Sequence, residues 1–428
     1  MKHNLLFNTI ISTAIFLIAS CSTDHEGQLT ITNPAEIERR DELIELTRQV
    51  IEAKVGKIPP GKYAVINTKD NKPVVLQYDD LDNDGNWDEA AFLYSLKPKE
   101  EISFSIAVAD APASIKAVVK AHARHKRKNA DNSFGDDLVK DSIPPGQAAT
   151  DFTKQPLPPF LTEGPAWEND KVGFRLYFDV RNGKDIWGKT TTRMVLDEVG
   201  LDAANNYHKQ AEWGMDILKV GKSLGAGSLA LSVPLNNGRD TLVRLGGMNM
   251  GKVIYEKIAD GPVRAIFRLH YPEWKVLDDS PPVSLTEEIS ICGGQYFYES
   301  KVMVTGAPLN SELVTGIVNL HSKQSYQLDT ADCKILYTYD TQTENNDKLG
   351  MGIIMRKEFF NAFGTTANEG TDIQNTYTIA ATIYKDKPVS FRFYAGWEKS
   401  SDLFNSEKSF REFLAREAVF IKYPVIMK

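Results

Sequence analysis

The second half of this chain is written largely in short runs that alternate apolar with polar residues, and that pattern limits what it can fold into. Residues 172–178, 263–271, 284–291, 296–304, 376–384 and 389–394 each show it, and most are bounded by Gly, Pro, Asn or Asp. Period-two alternation places one face of a strand toward a core, and turn residues between the runs favour antiparallel neighbours. Many such strands in succession imply a mainly β chain built as a large antiparallel β-sandwich. One helix is signalled near the end, where Ser409 and Glu412 have capping-box spacing and Phe410, Phe413, Leu414 and Ala418 share a face.

Four regions follow from composition. Residues 1–21 read as a processed leader, 29–112 as a smaller N-terminal β module, 122–162 as a polar, proline-rich linker, and 163–428 as the sandwich domain. Within the module, residues 63–67 and 74–78 flank Asp70-Asn71-Lys72 and read as a hairpin. Residues 36–55 fit a helix, while Leu43-Ile44-Glu45-Leu46 fits a strand equally well. In the linker, residues 144–159 hold five prolines and residues 121–129 (AHARHKRKN) are locally basic.

The run Asp80-Leu81-Asp82-Asn83-Asp84-Gly85-Asn86-Trp87-Asp88 spaces four carboxylates at loop positions one, three, five and nine, with glycine at six. That spacing lets Asp80, Asp82, Asp84 and Asp88 converge on a hard cation, so a structural calcium site is expected. The glutamate that closes a helical calcium hand at position twelve is replaced by Ala91, and a bare acidic hairpin tip fits the same residues.

The chemistry is expected between Glu163 and Gly227, where aromatic rings, fixed charges and glycines are interleaved. His208 and Tyr207 form the candidate proton-transfer pair, with His321 as a second candidate at the end of an apolar run. Arg175 and Lys219 are candidate clamps for a carboxylate, Trp167 and Trp213 candidate stacking platforms, and Glu168 and Asp216 further substrate-binding carboxylates. Adjacent strand residues point to opposite faces, so Tyr207 and His208 can act together only on an irregular loop. A loop histidine satisfied by backbone is the competing reading. Arg264 and Arg268 lie four apart and face one side, which suits either an anion-binding pair or a solvated face.

The 428 residues carry a net charge of -7, with 25% charged and 42% hydrophobic residues, as in an ordinary globular protein. An acidic body repels phosphate, so nucleic acid is not an expected partner. No dinucleotide fingerprint, phosphate loop, Gly-x-Ser-x-Gly or His-Glu-x-x-His occurs, and no organic cofactor is expected. Cys292 and Cys333 fit a bridge or two free thiols equally. The apolar run from Leu5 to Ala19 is shorter than the roughly eighteen residues a spanning helix needs. Its Ile18-Ala19-Ser20-Cys21 end resembles a bacterial lipobox, which implies acylation of Cys21, with Ser22 favouring an outer-membrane lipoprotein.

Residues 164–175 (GPAWENDKVGFR), Tyr207-His208, Trp213-Gly214-Met215-Asp216 and the acidic loop resemble a lipoprotein family of polysaccharide-utilisation loci, long a domain of unknown function. That family includes the ulvan oligosaccharide dehydratase. The resemblance implies removal of water from a non-reducing-end uronic acid to give a 4,5-unsaturated uronic acid, and allows a mutarotase-like super-sandwich as the form of the fold. A polysaccharide lyase, a mutarotase-like glycan hydrolase and a non-catalytic glycan-binding lipoprotein remain the alternatives. In each the partner is an oligosaccharide, uronic-acid-containing for the dehydratase, and the lipid anchor supplies the membrane contact.

Overall fold

The computed structural model describes residues 27–202, 206–235 and 237–428. Cys21 and the apolar run before it lie outside the described residues, none of which belongs to a helix long and apolar enough to cross a membrane. The chain is mainly β and its paired strands are antiparallel. A nine-stranded sheet forms the base, in the order Tyr326–Asp329, Cys333–Thr341, Lys348–Arg356, Val389–Trp397, Phe297–Thr305, Val283–Cys292, Arg264–Trp274, Val253–Asp260 and Lys140–Ile143. Over it lie two five-stranded sheets. One runs Asp240–Arg244, Ala226–Pro234, Glu312–Val318, Thr376–Thr382 and Phe360–Thr365, the other Gly214–Asp216, Lys184–Lys189, Val172–Leu176, Ala166–Asn169 and Ala121–Arg124.

Alternation explains the packing. In Thr376–Thr382, Ile379 and Ala381 enter the main core while Thr378 and Ala380 face outward. That core also takes Leu285, Ile289, Val302 and Phe391 from the large sheet, Leu231, Leu313 and Ile317 from one small sheet, and Trp167, Phe174 and Ile186 from the other. Strands of the last sheet are buried on both faces, all five residues of Val172–Leu176 included. The helix Glu407–Lys422 covers the outer face of the large sheet with Phe410, Phe413, Leu414 and Ala418. Gly350 permits this approach, because a Cβ there would stand 2.6 Å from the Phe410 ring. The capping box sits one turn earlier than the sequence suggests: Ser406 caps, and Ser409 answers it.

The N-terminal residues build a separate hydrophobic cluster from Leu29, Ile31, Ile44, Leu46, Phe92, Phe104 and Ile106. Residues 36–55 satisfy both sequence readings in turn, as the strand Arg39–Thr47 followed by the helix Arg48–Val55. The expected hairpin forms only around its turn, where the Val74 amide donates to the Ile66 carbonyl at 2.8 Å and Asn67 bridges Pro73; beyond it Tyr63–Thr68 pairs with Glu101–Ala109, while Gln77–Asp79 pairs with Glu89–Leu96 in another sheet. The chain end returns here, with Ile426–Met427 pairing Gly27–Thr32. Residues 122–162 are no coreless linker. Ala121–Arg124 and Lys140–Ile143 join two sheets, and Ala123, Ile143 and Phe160 enter the main core. Arg264 neither faces solvent nor waits for an anion: Asp79 at 2.7 Å, Glu89 at 2.8 Å and Glu45 surround it, joining the N-terminal strands to the large sheet. Arg268 pairs with Glu288 at 2.9 Å. Cys292 and Cys333 are both free and buried, and burial pushes the Cys292 thiol up to about 12.

Candidate active site

A cavity of about 330 Å³ opens beside the edge strand Gly214–Asp216, lined by Tyr177, Arg181, His208, Asp216, Lys219, Arg244 and Glu344 among others. The strand carrying Asp216 is held by Lys184–Lys189, which pairs with Val172–Leu176 on one side and Gly214–Asp216 on the other. Gly214 is needed for that second pairing. Its φ is +130°, and a Cβ there would fall 1.8 Å from the Gly188 carbonyl oxygen. The Asp216 amide donates to the Tyr207 carbonyl at 2.9 Å, which returns the irregular loop over the strand and sets His208 above Asp216.

Arg175 is the electrostatic centre behind the cavity. Its Nη2 donates to Asp216 at 2.7 Å, to the Tyr177 hydroxyl at 2.8 Å and to Asp185, while Nη1 lies 3.4 Å from the Tyr207 hydroxyl and 3.7 Å from Glu163. Two carboxylates on one guanidinium leave negative charge in excess. His208 Nδ1 lies 3.3 Å from the same Asp216 oxygen, and its side chain is 56% exposed. Burial, then Asp185, push the Asp216 carboxyl well above the usual carboxylate range, although Arg175 pulls the other way. Burial, then Arg175, push the His208 imidazole below its ordinary value. Both shifts favour the neutral form of each group.

Several expectations change here. Arg175 is fully buried, with Nη2 committed to Tyr177, Asp185 and Asp216 and its unpaired Nε also buried, so it positions Asp216 rather than facing a substrate. Tyr207 stacks on Trp187 at 5.8 Å, and burial pushes its phenol up to about 12, which removes it as an ionised base. Trp167 is wholly buried against Phe174, Phe267 and Tyr298 and offers no face to a sugar. Trp213 packs against Trp187 at 5.6 Å rather than lining the cavity. Glu168 is buried, paired with Lys189, and accepts from the Leu196 amide at 2.8 Å. It fixes a loop and does not reach the cavity.

His208, Asp216 and Lys219 do meet there. Lys219 is exposed and has no carboxylate partner among the described residues. His321 is brought near from over a hundred residues away, its Nε2 standing 3.7 Å from Glu344 on the cavity wall. The Glu344 amide bonds the Ile217 carbonyl at 3.0 Å, tying the turn that carries it to the chain next to Asp216. Tyr177, Arg181 and Glu344 were not singled out by sequence reasoning. Arg175 and Arg181 both stack on the Tyr177 ring, at 4.4 and 3.9 Å, so the cavity is polar and lacks an open aromatic platform.

Residues 31–426 match a family described as Domain of unknown function (DUF4861). The chain belongs to that family. A relative in Formosa agariphila, "Uncharacterized protein P7", is 23% identical over 421 residues, covering 94% of this chain and 93% of the relative. Similar solved structures are a protein in the glycosyl hydrolase family 38 and an alpha-mannosidase, both from Enterococcus faecalis. Each is 9% identical, with a TM-score of 0.50 over 94% of this chain. The chain spans 47% and 46% of their lengths. At that identity the likeness is one of fold, and fold does not fix chemistry.

Away from the cavity, Asp80, Asp82 and Asp88 each bring a carboxylate oxygen within 4.8 Å of the others. Asp84 is turned aside and accepts from the Asn86 amide at 2.7 Å. Three converging carboxylates fit a hard cation. A second cluster, His122, Asp137 and Asp260, is already closed by Lys257, which pairs with both aspartates.

Proposed function

We infer that this DUF4861 protein is a carbohydrate-active dehydratase that removes water from the non-reducing-end uronic acid of an oligosaccharide, leaving a 4,5-unsaturated uronic acid. The observation that carries the reading is the His208–Asp216 pair at the wall of a small polar cavity that also holds the exposed Lys219, which has no carboxylate partner among the described residues. A cavity of about 330 Å³ is at the small end of ligand sites, roughly 300–1,000 Å³, and suits one terminal sugar rather than an internal stretch of chain.

Each group then has a task. Neutral His208 takes the C5 proton at Nε2, and the C5–H electron pair becomes the C4=C5 bond. Asp216 holds the resulting imidazolium through Nδ1, and Lys219 neutralises charge building on the uronate carboxylate. The C4–O4 bond breaks, and O4 leaves as water with a proton supplied from the His321–Glu344 side. Acylated Cys21 would hold this site at the outer membrane.

A hydrolase is the second reading, favoured by Asp216 and Glu344 as two carboxyls on one cavity. Mass spectrometry of defined uronate-terminated oligosaccharides separates the two. Loss of one water, with new ultraviolet absorbance, supports the dehydratase; chain cleavage with gain of water supports the hydrolase; no change with retained binding leaves a glycan-binding protein.

A further inference from the structure

The face of the sheet Asp240–Arg244, Ala226–Pro234, Glu312–Val318, Thr376–Thr382 and Phe360–Thr365 that points away from the core carries a groove of about 590 Å³. Its apolar floor comes from Leu242, Val314, Ala362, Phe363, Ile373 and Ala380. Its polar lining includes Ser232, Thr241, Thr365, Thr366, Thr371 and Thr378 together with the carboxylates Asp240, Glu312 and Asp372. No Lys or Arg lines it.

The groove adjoins the cavity holding His208. Residues 240, 242 and 244 share one face of their strand; Asp240 and Leu242 line the groove, and Arg244 lines the cavity. A cross-strand row continues from Ala362 to Ala380, Val314, Ala230 and Arg244. At about 4.8 Å per strand, Ala380 lies roughly 14 Å along the sheet from Arg244. The segment between them is pinned by Arg244, whose Nη2 bonds the Asp372 carbonyl at 3.4 Å and whose Nε lies 3.9 Å from the Asp372 carboxylate. Cavity and groove therefore share the Arg244–Asp372 wall.

We propose that this groove is a distal subsite for the neutral sugars of the substrate, on the reducing-end side of the residue held at His208. The inference rests on the activity inferred above. A sugar chain leaving the cavity over Arg244–Asp372 meets hydroxyls and carboxylates able to accept its hydroxyl protons, above an apolar floor for the carbon face of a ring. Asp240, Glu312 and Asp372 give the groove its negative charge, with Glu312 also accepting from the Asn361 side-chain amide; burial, then the neighbouring Asp240, raise the Glu312 carboxyl. A sulfated or uronic sugar would add to that charge, and a neutral one does not. The subsite thus selects the part of the substrate that the catalytic cavity never touches.

The test uses a uronate-terminated disaccharide and two tetrasaccharides, one with neutral and one with sulfated sugars at the far end. The wild-type protein should show kcat/KM about tenfold or more higher for the neutral tetrasaccharide than for the disaccharide, a gain worth one or two hydrogen bonds. Ala380→Trp, which fills the floor, should remove that gain and leave disaccharide turnover unchanged. Glu312→Lys should shift the preference toward the sulfated tetrasaccharide and serves if Ala380→Trp does not fold. Absence of a length gain in the wild type, or its persistence in folded Ala380→Trp, overturns the subsite. If no sugar loses water, the inferred activity fails and calorimetry decides the groove: binding of the neutral tetrasaccharide that Ala380→Trp weakens supports it, and equal or absent binding overturns it.

Discussion

His208 Nδ1 stands 3.3 Å from Asp216 Oδ2, an oxygen that also accepts from Arg175 at 2.7 Å. One carboxylate therefore links an exposed imidazole to a buried guanidinium, and the proton affinity of the first depends on the second. His208→Ala should lower turnover by about 10² to 10⁴, the range for a positioned general acid or base, with the melting temperature unchanged. Because burial and Arg175 hold the imidazole below its ordinary 6.5, it stays neutral to lower pH, and the acid limb of kcat/KM should fall below pH 6.5. A limb at or above 6.5 in the pH–rate profile would contradict this environment.

Arg175 and Lys219 should respond in opposite ways. Arg175→Ala leaves Asp185 and Asp216 buried without their counter-charge, a loss of about 3–5 kcal/mol read by denaturant unfolding. Lys219→Ala removes an exposed cation and should leave unfolding within about 0.5 kcal/mol. If Lys219 meets the uronate, KM should rise about ten- to a hundredfold, as for loss of a charged hydrogen bond. A stable but weakly binding Arg175→Ala protein would return that arginine to the role of a substrate clamp.

These two cations mark where the sequence is legible. Alternation in runs such as 376–384 reveals strands because one face is core and the other is not. Arg175 sits in a strand buried on both faces, so the alternation of residues 172–178 places it on a solvent side that the fold covers, and a charged residue looks like surface. Trp167 misleads for the same reason, since residue type shows an aromatic ring and not what covers it. His208, Asp216 and Lys219 were readable because one short segment carries all three to the cavity. Glu344 was not. It reaches the cavity through a tertiary bond to the Ile217 carbonyl, across more than a hundred residues, and nothing local to its turn announces that contact.

The acidic loop gives an independent prediction. Asp80, Asp82 and Asp88 repel one another at 4.8 Å or less, and a bound calcium ion would relieve that repulsion in the folded state alone. Calcium should raise the melting temperature in proportion to the logarithm of its concentration, and excess chelator should abolish the rise. Asp82→Asn should weaken the response more than Asp84→Asn, because Asp84 faces the Asn86 amide. Identical melting curves with calcium and with chelator would leave a bare acidic turn.

The last prediction concerns the joint between the C-terminal helix, the large sheet and the N-terminal strands. Glu417 on the helix is buried, 3.4 Å from the Tyr394 hydroxyl, with Arg392 on the sheet, Arg416 on its own helix and Glu42 on the N-terminal strand around it. Burial, partly offset by Arg392 and Arg416, raises its carboxyl from 4.5 to about 7. A raised folded-state value means that the folded protein binds the proton more tightly than the unfolded chain does. Stability from this group is therefore fully present below pH 4.5 and is lost as pH rises toward 7, by a total on the order of 3 kcal/mol. Glu417→Gln cannot ionise, so its unfolding free energy should match the wild type near pH 4.5 and exceed it progressively up to pH 7. Parallel stability curves for the two proteins across that window would show that the carboxyl ionises freely in the folded state and that this joint does not sense pH.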